Sequence, residues 1–192
     1  MADPAQMLDD AIRDWRAMLD DVAALGPGLT AACRACEACW DGGGKLLICG
    51  NGGSAADAMH LAEELVARFQ ATRRGLAAIA LLDPTTLTCA ANDFGFERIF
   101  SRQVEALGRP GDVLIVLSTS GNSPNLIAAI DAAEAAGVRT VALLGKGGGK
   151  LAGRCDAEMV VAADTSHRVQ EVHKLLFHTL CEWADAYALG KE

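Results

Sequence analysis

Three groups of residues in this chain have the types and spacing that chemistry requires. His60 and Glu64 stand four positions apart, so on a helix they project from one face and can reach one reacting atom or one metal ion. Ser118, Thr119, Ser120, Gly121, Asn122 and Ser123 supply four hydroxyls immediately before Pro124, a residue suited to a first helical turn. Hydroxyls and helix-terminal amides together can satisfy the acceptor oxygens of a phosphate monoester without a Lys or Arg. Gly50, Asn51, Gly52, Gly53 and Ser54 form a second small-residue turn, where bare backbone N–H groups can approach an anion. An ordinary capped turn favours the same Ser, Thr and Asn residues. Neither turn continues into Gly-Lys-Ser/Thr, and neither has the GxGxxG spacing, so loops for nucleoside triphosphates or dinucleotides are not favoured.

The elements that must position these groups alternate between strand and helix. Leu46 to Cys49 suits a strand buried on both faces, and Ser54 is the expected N-cap of the following helix, with Asp57 three residues on and the helix running to Phe69. Leu76 to Leu82 reads as a second buried strand, and Thr85 to Ala91 as a short helical or irregular piece. Asn92, Asp93, Phe94 and Gly95 precede a helix reaching Leu107. Val113 to Leu117, Val138 to Leu144 and Met159 to Ala162 are the remaining strands, with an Ala-rich helix from Pro124 to Ala136 and a long helix from about Ser166 to Leu189. Lys146 to Lys150 is expected to be a flexible connection. This alternation describes an α/β doubly wound parallel sheet with helices on both faces, and in such sheets ligands sit beyond the carboxyl ends of the strands. Both small-residue turns belong to that edge.

Residues 4 to 25 form a helix with a heptad-like seam of Leu8, Ile12, Trp15, Leu19 and Val22, able to pack within the subunit or on a partner. Gly26, Pro27 and Gly28 are expected to end it, before a second helix up to Trp40. With no composition break, residues 1–192 read as one domain in which 1–41 is a helical extension used in oligomerisation.

A chain of 192 residues, 51% hydrophobic and 22% charged, is large enough for a substantial core. Its net charge of -8 argues against a nucleic-acid footprint of clustered Lys and Arg. No apolar run approaches the roughly 20 residues of a membrane span, and the start lacks a signal peptide's pattern, so the expectation is a cytoplasmic protein with reduced thiols. Among seven cysteines, Cys33, Cys36 and Cys39 have a spacing that could hold metal, but no completing Cys-Pro follows, and small thiols buried along a helix explain it as well.

Five segments, GNGGSAADAMHLAEELVARF, ANDFGFERIFSRQ, STSGNSPN, LLGKGGGKLAG and RVQEVHKLLFH, in this order and at these separations, resemble the phosphoheptose isomerases of the sugar isomerase (SIS) domain family. The resemblance implies a homotetramer with active sites between subunits. It also implies conversion of sedoheptulose 7-phosphate to D-glycero-D-manno-heptose 7-phosphate, the first step towards activated heptose for lipopolysaccharide or other surface glycans. Carried over residue by residue, it implies that Ser118, Thr119, Ser120 and Ser123 hold the phosphate, while Asn51, Gly52, Gly53, Ser54, Asn92, Asp93 and Gln170 line the substrate site. Glu64 and His178 would be the acid and base, and His60, Glu64, Gln170 and His178 the ligands of a zinc ion in members that bind one. The tract AADTSH at 162 to 167 departs from the family pattern ahead of the last helix.

Moving a carbonyl from C2 to C1 requires removing a proton from C1, stabilising an enediolate and returning a proton to C2, which one carboxylate can do while a second group or a metal handles the oxygens. Glu64 is the expected base and His178 the expected acid. On position alone His60 fits a packed core histidine as well as a ligand, and His178 sits among Leu175, Leu176, Phe177 and Leu180, where a lone His is more often core than ligand, so its catalytic role rests on the resemblance. Gln170 and His178 are about 12 Å apart along an ideal helix, so one metal touches both only from between them or across subunits. His173 and Lys174 are neighbours that could face elsewhere. The alternative reading, a non-catalytic SIS scaffold binding the replication initiator DnaA, is opposed by the presence of both Glu64 and His178. A sugar-phosphate-sensing module of a regulator would adjoin a DNA-binding domain, which the chain has no room for.

Overall fold

Five strands, β1 (Leu46–Gly50), β2 (Ala78–Ala80), β3 (Val113–Ser118), β4 (Arg139–Gly145) and β5 (Ala157–Val161), pair in parallel throughout, in the order β2-β1-β3-β4-β5. The structure is a computed structural model that describes residues 2–191. Seven helices accompany the sheet among these residues: α1 (Pro4–Ala23), α2 (Gly26–Asp41), α3 (Gly53–Val66), α4 (Pro84–Phe94), α5 (Ser101–Leu107), α6 (Pro124–Ala135) and α7 (Ser166–Leu189). β1 and β3 are buried along their whole length and read as unbroken apolar runs because helices cover both faces. Successive residues feed opposite cores. Leu46, Ile48, Ile115 and Leu143 meet α2, α3 and α7, whereas Leu47, Cys49, Val116 and Leu144 meet α4, α5 and α6. None of the described helices is long and apolar enough to cross a membrane.

The strand order reverses direction between β1 and β3, so the loops leaving their carboxyl ends flank a crevice. Those loops are the two small-residue turns.

Several local expectations change. Gly26, Pro27 and Gly28 do not terminate α1, which ends at Ala23; they form the first turn of α2, where proline's missing N–H costs nothing. The second strand is confined to Ala78–Ala80 and is not buried throughout, because it lies at the sheet edge with β1 as its one neighbour and leaves Ile79 exposed. The seam on α1 splits. Trp15 and Val22 pack on the core, and the Trp15 indole N–H donates to Glu171 at 2.6 Å, while Leu8, Ile12 and Leu19 remain 61%, 40% and 53% exposed. Cys33, Cys36 and Cys39 all lie on the buried side of α2. Burial pushes the Cys33 and Cys39 thiols up to about 11 and raises Cys36 well above the ordinary thiol value, which keeps them protonated at neutral pH.

The end of α3 is fixed to α7 by a buried ion pair. Arg73 Nε donates to Asp185 at 2.9 Å, and its Nη atoms donate to the carbonyls of Leu65 and Glu64 at 2.7 and 2.8 Å. Burial alone would raise the Asp185 carboxyl; the amides of Ala71 and Gln70 together with Arg73 outweigh it and hold the group below its ordinary value. Arg73→Leu strands that carboxylate without its cation and is expected to lower stability by about 3–5 kcal/mol in urea unfolding at neutral pH. The depressed folded value means that Asp185 contributes stability above the ordinary carboxyl range and loses it as pH falls through the folded value. The gap between wild type and variant should therefore narrow in acid.

Candidate active site

β3 ends at Ser118, whose buried hydroxyl accepts from the amide of Gly121 at 3.0 Å and bends the chain towards the start of α6. Gly121 has φ +61° and lies against the next loop so closely that a Cβ there would fall 1.8 Å from the Gly148 carbonyl oxygen. The segment after β4 is accordingly not a flexible connection. It is a 3-10 turn over Lys146–Leu151, held to this loop by Leu151 N–H donating to Gly121 O and Lys150 N–H donating to the Asn122 side chain, each at 3.1 Å. Across the crevice, α3 begins at Gly52, whose φ of +58° requires glycine and makes it the N-cap in place of Ser54. Ser54 is instead a buried residue of the first turn.

Between these loops lies a polar cleft of about 60 Å³ lined by Asn51, Ser54, Ser118, Thr119, Ser120, Ser123 and Gln170. The N-termini of α3 and α6 adjoin it, so hydroxyls, backbone amides and two positive helix ends converge on a space suited to a compact anion. Asn51 and Asn125 span the crevice with reciprocal amide bonds of 3.0 and 2.8 Å. Gly53 touches Gln170, since a Cβ would meet the Gln170 side-chain nitrogen at 2.6 Å.

Two turns along, α3 presents side chains whose chemistry suits proton transfer. His60 Nε2 lies 3.1 Å from Glu64 Oε1, and the His178 ring packs edge-on against His60 with centroids 5.1 Å apart. Phe177 and Phe69 enclose His178. Burial first, then the neighbouring His60 and Lys174, lower the His178 value, so the ring is neutral at physiological pH. His173, one turn before Phe177, is fully buried against the Leu144 carbonyl, and burial lowers it to about 4; it belongs to the core. Lys174 faces the site. Its ammonium pairs with the buried Asp57 at 2.8 Å and lies 3.4 Å from His60 Nδ1. Its place midway in the i, i+4, i+8 row from Gln170 to His178 was the available signal.

Asn92 and Asp93 occupy the last turn of α4 rather than a loop before a helix; they are exposed, bond to each other at 2.7 Å and do not line the cleft. As for a metal, donor atoms of His60, Glu63 and Glu64 all lie within 4.8 Å of one another, an imidazole and carboxylate set that fits zinc in kind. Gln170 stands at the other end of the site, against Gly53.

The SIS domain profile matches residues 12–145. A curated phosphoheptose isomerase of Fusobacterium nucleatum is 56% identical over 73% of this chain and 72% of its own length, and one of Thiobacillus denitrificans is 48% identical over 91% and 90%. This chain belongs to the phosphoheptose isomerase family. The solved structure of phosphoheptose isomerase from Neisseria gonorrhoeae superposes with a TM-score of 0.89 at 38% identity, covering 95% of this chain and 98% of that one. The agreement therefore extends beyond the SIS profile to α7, which carries Gln170, Lys174 and His178. The cleft is tested most directly through its backbone. Gly53→Ala keeps the fold but drives the Gln170 amide out of the cleft, and is expected to weaken inorganic phosphate binding about tenfold by calorimetry, the cost of one lost polar contact.

Proposed function

We propose that the protein converts sedoheptulose 7-phosphate to D-glycero-D-manno-heptose 7-phosphate through an enediolate. The reading is supported above all by one arrangement: the anion cleft and the His60, Glu64 and His178 group lie along the same face of α3 and α7. Gln170 and His178 are about 12 Å apart along the α7 axis. An open chain of seven carbons with its phosphate ester measures about 10 Å at ordinary bond lengths, so a phosphate in the cleft brings C1 and C2 to Glu64.

Ser118, Thr119, Ser120, Ser123 and the amides of the two helix starts hold the phosphate, with Gln170 and Asn51 at its border. The Glu64 carboxylate removes a proton from C1. His178, neutral and able both to donate and to accept, supplies a proton to the carbonyl oxygen on C2 as the enediol forms. It then takes the proton from the oxygen on C1 while Glu64 returns its proton to C2, leaving an aldehyde. His60, Glu63 and Glu64, with His178 beside them, would hold zinc, which when bound polarises the substrate's oxygens. Phe69 and Phe177 pack against the His178 ring and shield part of it from water.

The site assembles further in a homotetramer. The exposed apolar residues of α1 supply a contact surface between copies, and a neighbouring copy brings Asn92 and Asp93 to the sugar. The protein acts in the cytoplasm, at the entry to activated heptose for lipopolysaccharide or another surface glycan.

Incubation with sedoheptulose 7-phosphate, followed by NMR, should show the aldose proton appearing with exchange of deuterium from solvent; no turnover would overturn the reading. Glu64→Gln and His178→Gln should each lower kcat at least about a hundredfold with an unchanged unfolding midpoint. The double variant Leu8→Asp, Ile12→Asp should reduce the mass in light scattering. An unchanged mass would take α1 out of the assembly.

A further inference from the structure

We infer that Lys174, anchored by Asp57, is a positioning residue that fixes the proton of His60 on Nε2, making the ring a donor to Glu64 and opposing metal ligation through that nitrogen. The inference rests on Glu64 as the base.

Asp57, His60 and Glu64 share one face of α3 and are met by a single side chain from α7. Asp57 is 5% exposed, and its carboxylate binds the Lys174 ammonium at 2.8 Å. The Lys174 ammonium also lies 5.3 Å from the Phe177 ring centroid, a second restraint on where the charge sits. From there Nζ reaches His60 Nδ1 at 3.4 Å. An ammonium offers hydrogens and no lone pair, so Nδ1 must accept. A neutral imidazole has one N–H, which is then on Nε2, 3.1 Å from Glu64 Oε1, an acceptor with no hydrogen of its own. Glu63 Oε1, 4.0 Å from Nε2, favours the same placement. Lys174, His60 and Glu64 form a directed chain in which each hydrogen points towards Glu64, while a separate Lys174 hydrogen is donated to Asp57.

A metal on Nε2 needs the lone pair at that atom, which moves the ring proton to Nδ1. That proton would face the Lys174 ammonium, donor against donor. The partner on the far side of a ligating histidine is ordinarily a carboxylate or carbonyl, which accepts such a proton. Here it is a cation. Lys174 thus aligns the Glu64 carboxylate for proton transfer in the metal-free protein and weakens metal capture at the same atoms.

The test uses the intact, metal-free protein, labelled with ¹⁵N at histidine, as wild type, Lys174→Met and Lys174→Arg. Long-range ¹H–¹⁵N spectra read the His60 tautomer, and competition with a chromophoric chelator reads zinc affinity. Wild type should show the Nε2–H form. Lys174→Met should lose that preference, bind zinc about tenfold more tightly, and lower metal-free kcat about tenfold with KM little changed. Lys174→Arg should restore the tautomer and the rate. An Nδ1–H ring in wild type, or the same tautomer and the same zinc affinity in Lys174→Met, overturns the inference. Neither readout depends on turnover, so a fully active Glu64→Gln would remove the proposed base while leaving the tautomer result to stand or fall alone.

Discussion

Two helices, α3 and α7, lie side by side on one face of the sheet, and the site depends on the register between them. Their contacts advance together: Gly53 meets Gln170, Asp57 meets Lys174, His60 meets His178, and Arg73 just beyond α3 meets Asp185. The first two steps are each about one helical turn on both partners, and the last runs two turns along α7 to the segment that follows α3. A slip of one residue would rotate every side chain by about 100° and separate all of these pairs at once. Leu61, Leu65, Leu176 and Phe177 lie beneath this polar row in one core, so hydrophobic packing sets the spacing and the polar contacts set the register. The absence of a side chain at Gly53 lets the two helices come close at the cleft end.

A chain with a net charge of -8 can still hold an anion because the field that matters is local. The hydroxyls of Ser118, Thr119, Ser120 and Ser123 line the cleft beside two helix starts, whereas most acidic residues of α1 are exposed to solvent, where screening weakens them. Cationic side chains are used elsewhere. Lys174 is paired with Asp57 beside His60, and Arg73 with Asp185 at the end of α3.

Much of this was legible in the sequence, for reasons particular to each element. β1 and β3 announced themselves as apolar runs because both faces are buried, and the hydroxyl run at 118 to 123 stood out because no packing role calls for so many small polar residues. The apolar run at 76 to 82 is longer than β2 because edge pairing leaves only three residues in register, although Leu76 and Leu81 on either side are buried. Ser54 has the residue type of an N-cap, whereas the backbone turn at Gly52 decides the position. The order of the 146–151 turn is set by contacts with Gly121 and Asn122, distant in sequence, which local composition could not show. Lys174 was ambiguous because its partner Asp57 lies on another helix and is itself buried.

The paired amides of Asn51 and Asn125 have a consequence for recognition. Each uses one donor and one acceptor on the other, so the loops after β1 and β3 are tied at a set separation before any ligand arrives. The aperture is fixed during folding, and the ordering entropy of its walls is already lost. Docking of the proposed phosphate would then be close to rigid, with selectivity coming from the width of a preformed opening rather than from closure around whatever enters.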